Sequence, residues 1–530
     1  MRKKFILSVF CIIIIEFLFY KYWASGLWSL FIIIPFILIG IYDISQKSHA
    51  ILRNFPVFGW GRYVMEALRP KIYQYFIESD IDGRPIGRIF RSLIYQRAKG
   101  DISTSPFGTQ LDVNAPGYEW MNHSINAKEM KDLPSDIRVL VGGPDCTQKY
   151  NASIFNISAM SYGALSKNAI EALNKGAKIN NFAHNTGEGG LSPYHLKHKG
   201  DLIWQIGTGY FGCRDKAGDF NPEEFSKNAL NESVKMIEIK LSQGAKPGHG
   251  GILPAGKNTL EIAKIRGVDP YTDVVSPPFH TAFTTPLELI IFIKKLRELS
   301  NGKPIGFKLC VGSKIEFLSI CKAMNKLKIY PDFITVDGGE GGTGAAPLEY
   351  SNSIGMPLND GLSFISDCLN GFNIKKHIKI IASGKVITGF NIIRNVALGA
   401  DMVNSARAMM MALGCIQALE CNKNICPTGI ATQNPELVEG LAVKNKSIRV
   451  ANYHKETIHS VIDLLSATGH NSIDEVTRYD MNRRINQMSV RRFDEIYPIV
   501  SKGDFINGKI PENLINDYAL ATETNFIPTK

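Results

Sequence analysis

The sequence predicts an α/β protein whose body is a closed (β/α)8 barrel, preceded by an N-terminal transmembrane hairpin and a connector segment. Two observations predict this architecture. From residue 151 onward, short segments rich in Val, Ile and Phe alternate with helical patterns, which is typical of a parallel β/α fold. Before them, the first 48 residues contain two apolar runs, each at the short end of the length that crossing a membrane requires.

The composition is that of a globular protein made in a reducing compartment. Of the 530 residues, 45% are hydrophobic and 21% are charged, so a large core can form and extended disorder is not expected. Nine cysteines, an odd number without regular pairing, argue against a secreted disulfide scaffold. The net charge of +11 comes without a long basic run, so we predict a membrane surface as a partner and no nucleic acid.

Residues 1–48 are predicted to form a transmembrane anchor of two short passes. The runs Phe5–Phe19 and Leu27–Tyr42 are nearly all apolar, although both are at the short end of the roughly 20 residues that a bilayer core requires. Lys21 is the single basic residue between the runs, whereas several basic residues lie outside them, which predicts that both ends face the cytoplasm. We therefore expect a protein of the cytoplasmic membrane with its catalytic domain on the cytoplasmic side. A cleaved signal peptide is the alternative, which the second apolar run disfavours.

Two further segments flank the predicted barrel, which we place at residues 151–440. Residues 49–150 carry no catalytic constellation and are interpreted as a connector or cap that packs the barrel against the membrane. Residues 441–530 are predicted to be a C-terminal helical extension that packs on the barrel.

Eight strand candidates can be counted within the barrel segment, with a long insertion at 191–233. Eight units of this kind match a TIM barrel, in which reactive residues lie where strands end. The strand candidates are Ile154–Met160, Phe182–His184, Lys235–Lys240, Asp273–Ser276, Ile305–Cys310, Phe333–Asp337, Lys379–Ser383 and Asp401–Ser405. The helix candidates between them are Ser166–Ile179, Pro286–Leu299, Lys314–Lys328 and Thr388–Leu398.

Glycine-rich segments follow several of these strands. Two of them, Gly207–Gly212 and Gly339–Gly344, match the G-x-G-x-x-G pattern of dinucleotide-binding folds. That motif needs a helix starting inside it, and neither segment is followed by a helical pattern. Glycines after late barrel strands more often bind a single phosphate through backbone N–H groups, which favours FMN over NAD.

Three cysteines lie close together after the last predicted strand. Cys415, Cys421 and Cys426 fall within twelve residues, and Pro427 turns the chain away directly after them. Thiolates at this spacing can bind an iron–sulfur cluster. A zinc site is less favoured, because His454 is far downstream and no fourth thiol is near. Buried cysteines without a ligand are the third interpretation.

Six motifs follow one another along the barrel segment and carry a resemblance to a known family. They are Met160-Ser-Tyr-Gly-Ala-Leu-Ser, Asn185-Thr-Gly-Glu-Gly-Gly, Ile239-Lys-Leu-Ser-Gln-Gly-Ala-Lys-Pro-Gly, Ser276-Pro-Pro, Gly341-Gly-Thr-Gly-Ala and Cys426-Pro-Thr-Gly-Ile-Ala-Thr-Gln-Asn-Pro-Glu-Leu. With them, the region 151–480 resembles the FMN-binding synthase domain of glutamate synthase. The stretch 54–100 resembles membrane-anchored, stand-alone bacterial members of that family.

The resemblance implies two cofactors. The Cys-x5-Cys-x4-Cys spacing is similar to the family's ligand set for a [3Fe-4S] cluster, which implies Cys415, Cys421 and Cys426 as the metal ligands. Lys308 would lie near the flavin pyrimidine, where a cation stabilises the charge of the reduced ring. The full set of residues that the resemblance implies for FMN is Met160, Ser161, Tyr162, Asn185, Gln205, Lys308, Gly341, Gly342, Ser383, Gly384 and Arg407.

The resemblance also implies an activity, the reductive amination of 2-oxoglutarate to L-glutamate through 2-iminoglutarate. Lys240, Lys246 and Arg266 would hold carboxylates, and Glu188 would transfer protons beside the flavin. Full-length glutamate synthases also contain a glutaminase domain and a β-helix domain, for which we see no room here. The expected partners are therefore ammonia or an amine, a possible separate amidotransferase, and ferredoxin or an NAD(P)H-dependent flavoprotein as electron donor.

Three positions depart from the family pattern. His249 stands where the family usually has Glu, Ile252 where it has Gln, and Gly312 where a Glu couples the two sites of full-length enzymes. Two alternatives therefore stay open. One is a related FMN enzyme with another amine or 2-oxo acid, such as an enzyme forming N-alkylglutamate, and the other is a membrane-bound electron-transfer flavoprotein.

Overall fold

The structure is a computed structural model that describes residues 1–102 and 104–527. The chain divides into two compact units, Met1–Arg88 and Ile89–Lys530, and each is described by itself below.

The first unit begins with a pair of apolar helices. Helix α1 spans Arg2–Tyr22, and a 3-10 turn at Ala24–Ser29 leads into helix α2, Leu30–Ser45. The two spans, of 21 and 22 residues when the turn is counted with α2, are long and apolar enough to cross a membrane. The helices are in contact, since the rings of Phe5 and Phe36 lie 6.0 Å apart.

Two shorter helices complete the first unit, α3 at Ala50–Asn54 and α4 at Trp60–Ile72. The buried Asp43 carboxylate, near the end of α2, accepts hydrogen bonds from Val57 N at 2.8 Å and from Trp60 Nε1 at 3.1 Å. These two bonds fix the start of α4 against the end of α2. Apolar side chains of α4 and of the turn after it are exposed, namely Trp60, Val64, Met65, Leu68, Tyr73, Tyr75, Phe76 and Ile77.

The second unit contains a closed barrel of eight parallel strands, which confirms the predicted fold class. Each strand pairs with the next one along the chain, and the last pairs with the first through Val403 and Phe155. The strands are β1 (Phe155–Ile157), β2 (His184–Asn185), β3 (Leu202–Ile206), β4 (Val234–Lys240), β5 (Ile305–Leu309), β6 (Phe333–Asp337), β7 (Lys379–Ser383) and β8 (Met402–Ser405).

One of the eight predicted strands was wrong, although their number was right. The third barrel strand, β3, lies inside the predicted insertion and all five of its residues are buried. The predicted strand Asp273–Ser276 is reduced to Val274–Val275, which pairs antiparallel with Ile252–Leu253 outside the barrel. Val275 is exposed, and two prolines follow Ser276, so this segment cannot supply the N–H groups of a central strand.

The helices around the barrel start at local capping signals. Ser166 caps the first barrel helix by accepting a hydrogen bond from Ala169 N, and Thr285 forms a capping box with Glu288. All four predicted helices are present. The helices from residue 88 onward are α5 (Arg88–Lys99), α6 (Lys167–Ile179), α7 (Pro193–Leu196), α8 (Pro222–Ala229), α9 (Leu260–Arg266), α10 (Pro286–Leu299), α11 (Lys314–Leu327), α12 (Leu348–Ser353), α13 (Leu358–Gly371), α14 (Gly389–Ala397), α15 (Arg407–Leu413), α16 (Pro435–Glu439), α17 (Val443–Thr468), α18 (Phe493–Ile496) and α19 (Ile515–Leu520).

Segments before and after the barrel pack on it. The antiparallel pair Arg138–Val141 and Tyr150–Ser153 directly precedes β1. Helix α17 lies along α6, and its buried His454 stacks on Phe182 with ring centroids 3.9 Å apart. The C-terminal extension is not purely helical, because Met481–Arg484 pairs with Val490–Arg492 and with Glu119–Met121 in a small sheet.

Candidate active site

The candidate active site is a cavity at the carboxyl ends of the barrel strands. Strands β3, β4 and β5 and the loops after β1, β2 and β8 all contribute to its wall. Parallel barrels bring the carboxyl ends of all strands to one face, which is why residues far apart in sequence meet here. The predicted site residues on this wall are Met160, Ser161, Glu188, Gln205, Lys240, Lys246, Arg266, Lys308, Gly342, Arg407 and Cys421.

The remaining predicted site residues lie outside the lining of this cavity. The Tyr162 hydroxyl donates to Glu261 Oε2 at 2.6 Å, and Asn185 Nδ2 donates to Glu238 Oε1 at 2.9 Å, so both side chains have partners elsewhere. The other residues of this group are Gly341, Ser383, Gly384, Cys415 and Cys426.

An ion pair between Glu188 and Lys240 lies at the centre of the wall. Lys240 Nζ donates to Glu188 Oε1 at 2.8 Å, and the two side chains are 7% and 17% exposed, respectively. Burial by itself would raise the pKa of Glu188, but the cations Lys240, Lys246 and Arg266 together hold that pKa below its usual value. Glu188 is therefore ionised at neutral pH and can accept a proton.

The other two cations keep hydrogen-bonding capacity for a ligand. Lys246 Nζ donates to Ala345 O at 3.0 Å, and burial together with repulsion from Lys240 lowers the pKa of Lys246 to about 8. The Arg266 guanidinium lies 5.1 Å from the centre of the Phe211 ring and donates to Tyr162 O at 3.3 Å. Its Nε is buried without a partner in the described structure. Burial lowers the pKa of Arg266 to about 10, so it also stays charged.

A buried carboxylate that the sequence analysis missed orders the floor of the cavity. Glu238, in β4, is fully buried and accepts hydrogen bonds from Gln205 Nε2 at 2.6 Å and Asn185 Nδ2 at 2.9 Å through one oxygen. Its other oxygen accepts from the Thr335 hydroxyl at 2.5 Å. Glu238 thus fixes the side chain of Gln205, which faces the cavity. Glu238 lies two residues before Lys240 in β4 and so on the same face, which was the signal for an inward-facing carboxylate.

The donor set at the far end of the cavity fits a phosphate group. Arg407, at the start of α15, donates one hydrogen bond, from Nη2 to Glu340 O at 2.6 Å, so its other N–H groups remain available. Gly342 packs against this guanidinium, because a Cβ there would lie 2.8 Å from Arg407 Nε. Gly384 has a φ of +147°, a conformation that side chains rarely adopt. A guanidinium with donors to spare beside glycine-rich backbone is suited to the phosphate of FMN.

The three clustered cysteines form a loop that is docked onto the active-site loops. Asn424 Nδ2 donates to Gly256 O at 2.9 Å, and Gln433 Nε2 donates to Gly163 O and Leu165 O at 3.0 and 2.9 Å. Cys421 reaches the cavity wall. The cysteine loop and the predicted flavin site are therefore neighbours.

The three thiols of this loop differ in their tendency to ionise, since burial raises the pKa of Cys415 to about 11 and raises that of Cys421 as well. Burial alone would raise the pKa of Cys426, but hydrogen bonds from the Thr428 hydroxyl and from backbone N–H groups of residues 428, 430 and 431 lower it below the usual value. Such bonds stabilise a thiolate and are a feature of iron–sulfur sites. Among the described residues, no three Cys, His, Asp or Glu side chains lie close enough to hold one ion.

Several other cavity residues were not assigned from the sequence. Gln243 Nε2 donates to Gly342 O at 3.1 Å, which links the substrate loop to the phosphate end. Ser276 has a buried hydroxyl that lacks a partner in the described structure. Lys257 is 3% exposed, and burial lowers its pKa to about 8 while the Cys421 and Cys426 thiols oppose that shift. The motif Ser276-Pro-Pro was noted, but its hydroxyl was not singled out.

The three departures from the family pattern occupy different surroundings. Ile252 lines the cavity and brings an apolar side chain to its wall. The His249 ring is outside the lining, where Nδ1 lies 2.9 Å from Gly250 O and the ring packs on Tyr350 with centroids 5.2 Å apart. Gly312 has open space on its side-chain face. Ile252 is therefore the departure that changes the cavity itself.

Comparisons with known proteins assign the chain to a family. A family model described as the conserved region in glutamate synthase matches residues 141–471. The glutamate synthase large subunit-like protein YerD of Bacillus subtilis is 36% identical over 480 residues, which cover 83% of this chain and 91% of that protein. The chain belongs to the glutamate synthase family. Members named glutamate synthase are oxidoreductases that act on CH–NH2 groups, and we class this chain with them.

Other similar proteins extend beyond this chain or share little sequence with it. The archaeal glutamate synthase [NADPH] of Methanocaldococcus jannaschii is 33% identical over 360 residues, which cover 68% of this chain and 66% of that protein. Among solved structures, the flavin-binding domain of baker's yeast flavocytochrome b2 matches with a TM-score of 0.42 and 12% identity, covering 86% of this chain and 91% of that domain.

Proposed function

We propose that this protein is an FMN-dependent, glutamate synthase-like oxidoreductase that converts 2-oxoglutarate and ammonia to L-glutamate through 2-iminoglutarate. The observation that carries the proposal is the convergence of Lys240, Lys246 and Arg266 on the ionised Glu188 in one cavity. A dicarboxylate substrate needs cations for both ends and a proton acceptor at its reacting carbon. An electron-transfer site alone has no use for this arrangement.

The residues of the site can be given roles in this reaction. Arg266, with an unpartnered Nε, binds one carboxylate through its planar group, and Lys246 binds the other as a point charge. Glu188 accepts a proton from the adding nitrogen and returns one to the departing oxygen, so that 2-oxoglutarate and ammonia give 2-iminoglutarate and water. FMN, when bound, supplies the hydride that reduces the imine carbon. Lys308 and Gln205 face the position we assign to the ring, and Arg407 faces its phosphate.

We further propose that Cys415, Cys421 and Cys426 bind a [3Fe-4S] cluster that receives electrons from a separate donor. The docking of their loop beside the cavity and the lowered pKa of Cys426 support this. The donor would be ferredoxin or an NAD(P)H-dependent flavoprotein. Ammonia would come from solution or from a separate amidotransferase.

We also propose that residues 1–48 anchor the protein in the cytoplasmic membrane with the catalytic unit on the cytoplasmic side. The two apolar spans and the exposed apolar side chains of α4 support an attachment to lipid. Extraction of a membrane fraction tests the proposal. High salt should leave the full-length protein in the pellet and detergent should release it, whereas release by salt alone would contradict it.

The activity is tested by following reoxidation of the chemically reduced holoenzyme. We expect 2-oxoglutarate and ammonium together to accelerate reoxidation with formation of glutamate, and Lys246→Ala to abolish the acceleration. The control is Lys303→Ala. Lys303 lies just before β5, away from the cavity, and its Nζ donates to the backbone carbonyls of Ala229 and Asn231. If an artificial acceptor reoxidises the protein while 2-oxoglutarate and ammonium have no effect, the electron-transfer alternative replaces this proposal.

Ile252 favours one alternative substrate, a primary alkylamine in place of ammonia. Its apolar side chain stands on the cavity wall where the family usually has an amide. In the same assay, 2-oxoglutarate with methylamine would then outperform 2-oxoglutarate with ammonium, and Ile252→Gln would reverse that preference. An unchanged preference in the variant would remove Ile252 from the argument.

A further inference from the structure

Lys257 is a buried lysine between the cavity and the cysteine loop. It ends the 3-10 turn Ala255–Lys257, and its side chain lines the cavity together with Cys421. The Asn424 hydrogen bond to Gly256 fastens this turn to the cysteine loop. Lys257 is thus held between the cavity wall and the cysteine loop.

The charge of Lys257 is poorly compensated by the protein. Its Nζ donates to Ala164 O at 2.9 Å, and among the described residues no carboxylate serves as a charge partner of Lys257. An ammonium has three donors, so two remain for another partner. A buried charge without a counter-charge is strongly destabilising, and proteins retain one where an anion completes the site. The ionisable groups that interact with Lys257 are the thiols of Cys421 and Cys426.

We propose that Lys257 is a positioning residue that supplies the positive charge opposite the group held by Cys421 and Cys426 and raises its reduction potential. This rests on the iron–sulfur cluster proposed above. A cluster gains negative charge on reduction, so a fixed cation nearby stabilises the reduced form. Lys257 and Cys421 line the same cavity as the residues assigned to the flavin, and the hydrogen bond to Ala164 O ties Lys257 to the loop after β1.

The test is a redox titration of the purified holoenzyme followed by low-temperature EPR spectroscopy. Lys257→Met keeps the length of the side chain and removes its charge. We therefore expect the equilibrium between the oxidised and reduced cluster to shift at least tenfold toward the oxidised form. A tenfold shift corresponds to about 59 mV for a one-electron couple. Lys257→Arg retains the charge and should stay within threefold of wild type.

Lys303→Met is the matched control. Lys303 is 7% exposed and its Nζ also donates to backbone carbonyls, those of Ala229 and Asn231, but it precedes β5 at the opposite end of the strand from the cavity. This variant should leave the potential unchanged. A shift of the same size in both methionine variants would reflect altered packing and would overturn the proposal, as would an unchanged potential in Lys257→Met.

Loss of the cluster is also informative. If Lys257→Met and Lys257→Gln lose iron while Lys257→Arg keeps it, the charge is needed to hold the group, which supports the pairing. If the arginine variant loses iron as well, the proposal fails. A wild-type protein that binds FMN and forms glutamate without iron would overturn the cluster and the role of Lys257 together, while leaving the proposed amination in place.

Discussion

Substituting Gly251 by Ala is expected to impair catalysis by displacing the Glu188 carboxylate. A Cβ at position 251 would lie 2.5 Å from Glu188 Oε1, whereas ordinary contact begins at 3.4 Å, so the oxygen must move by about 0.9 Å. The same oxygen accepts the 2.8 Å hydrogen bond from Lys240, which this movement would break. The backbone at Gly251 has no positive φ, so alanine is tolerated there apart from this contact.

The size of the effect follows from the displacement. A misplacement of about 1 Å in a reacting group can cost about 100-fold in rate, which is about 2.7 kcal/mol of activation free energy. We expect kcat to fall by this factor in the glutamate-forming assay, with a loss of unfolding free energy within the roughly 1–3 kcal/mol of overpacked sites. Gly256→Ala is the control, because its Cβ would meet no atom within 4 Å. A wild-type kcat in Gly251→Ala would refute the assignment of Glu188 to proton transfer.

Two further predictions concern the cysteines and the substrate cations. Cys421→Ser should abolish bound iron. The control is Cys146→Ser, which should keep its iron, because the wild-type Cys146 thiol lies outside the cysteine loop and donates to Gly302 O at 3.3 Å. Equal iron in both proteins would reject Cys421 as a ligand. Because burial lowers the pKa of Lys246 to about 8, kcat/KM for 2-oxoglutarate should fall as the pH rises through that value, since the free enzyme loses a cation. Lys246→Arg stays charged and should remove this decline, and a decline that persists in the arginine variant would assign it to another group.

The sequence predicted the barrel because hydrophobic periodicity follows burial in a parallel sheet. β6 and β7 were predicted with the bounds that the structure has, since each has an apolar centre and is followed by a glycine-rich turn. β3 was missed because it lies between glycine-rich loops of an apparent insertion. Val274–Val275 has the local composition of a barrel strand, and the exposure of Val275 together with the two prolines after Ser276 distinguishes it. Local sequence does not encode exposure when two segments are equally apolar.

The site was predictable where chemistry depends on residue type and was not where it depends on packing. Glu188, Lys240 and Lys246 lie in the quoted motifs and Arg266 was assigned through the family resemblance, and the structure brings all four to one cavity. Lys257 belongs to no quoted motif, and an isolated lysine in a sequence is normally a solvated surface residue. Its burial beside the cysteine loop is a property of the assembled loops.

The orientation of Glu188 depends on a chain of hydrogen bonds that begins inside the barrel. Glu238 fixes Asn185 through the 2.9 Å bond to Nδ2, which leaves Asn185 Oδ1 to accept from Gly187 N at 3.0 Å. Gly187 has a φ of +65°, so the loop turns sharply just before Glu188 and directs it into the cavity. The family resemblance alone links Asn185 to the flavin. Its contacts give it a second role: through Asn185, the buried Glu238 of β4 sets the position of Glu188, the carboxylate that we propose transfers protons.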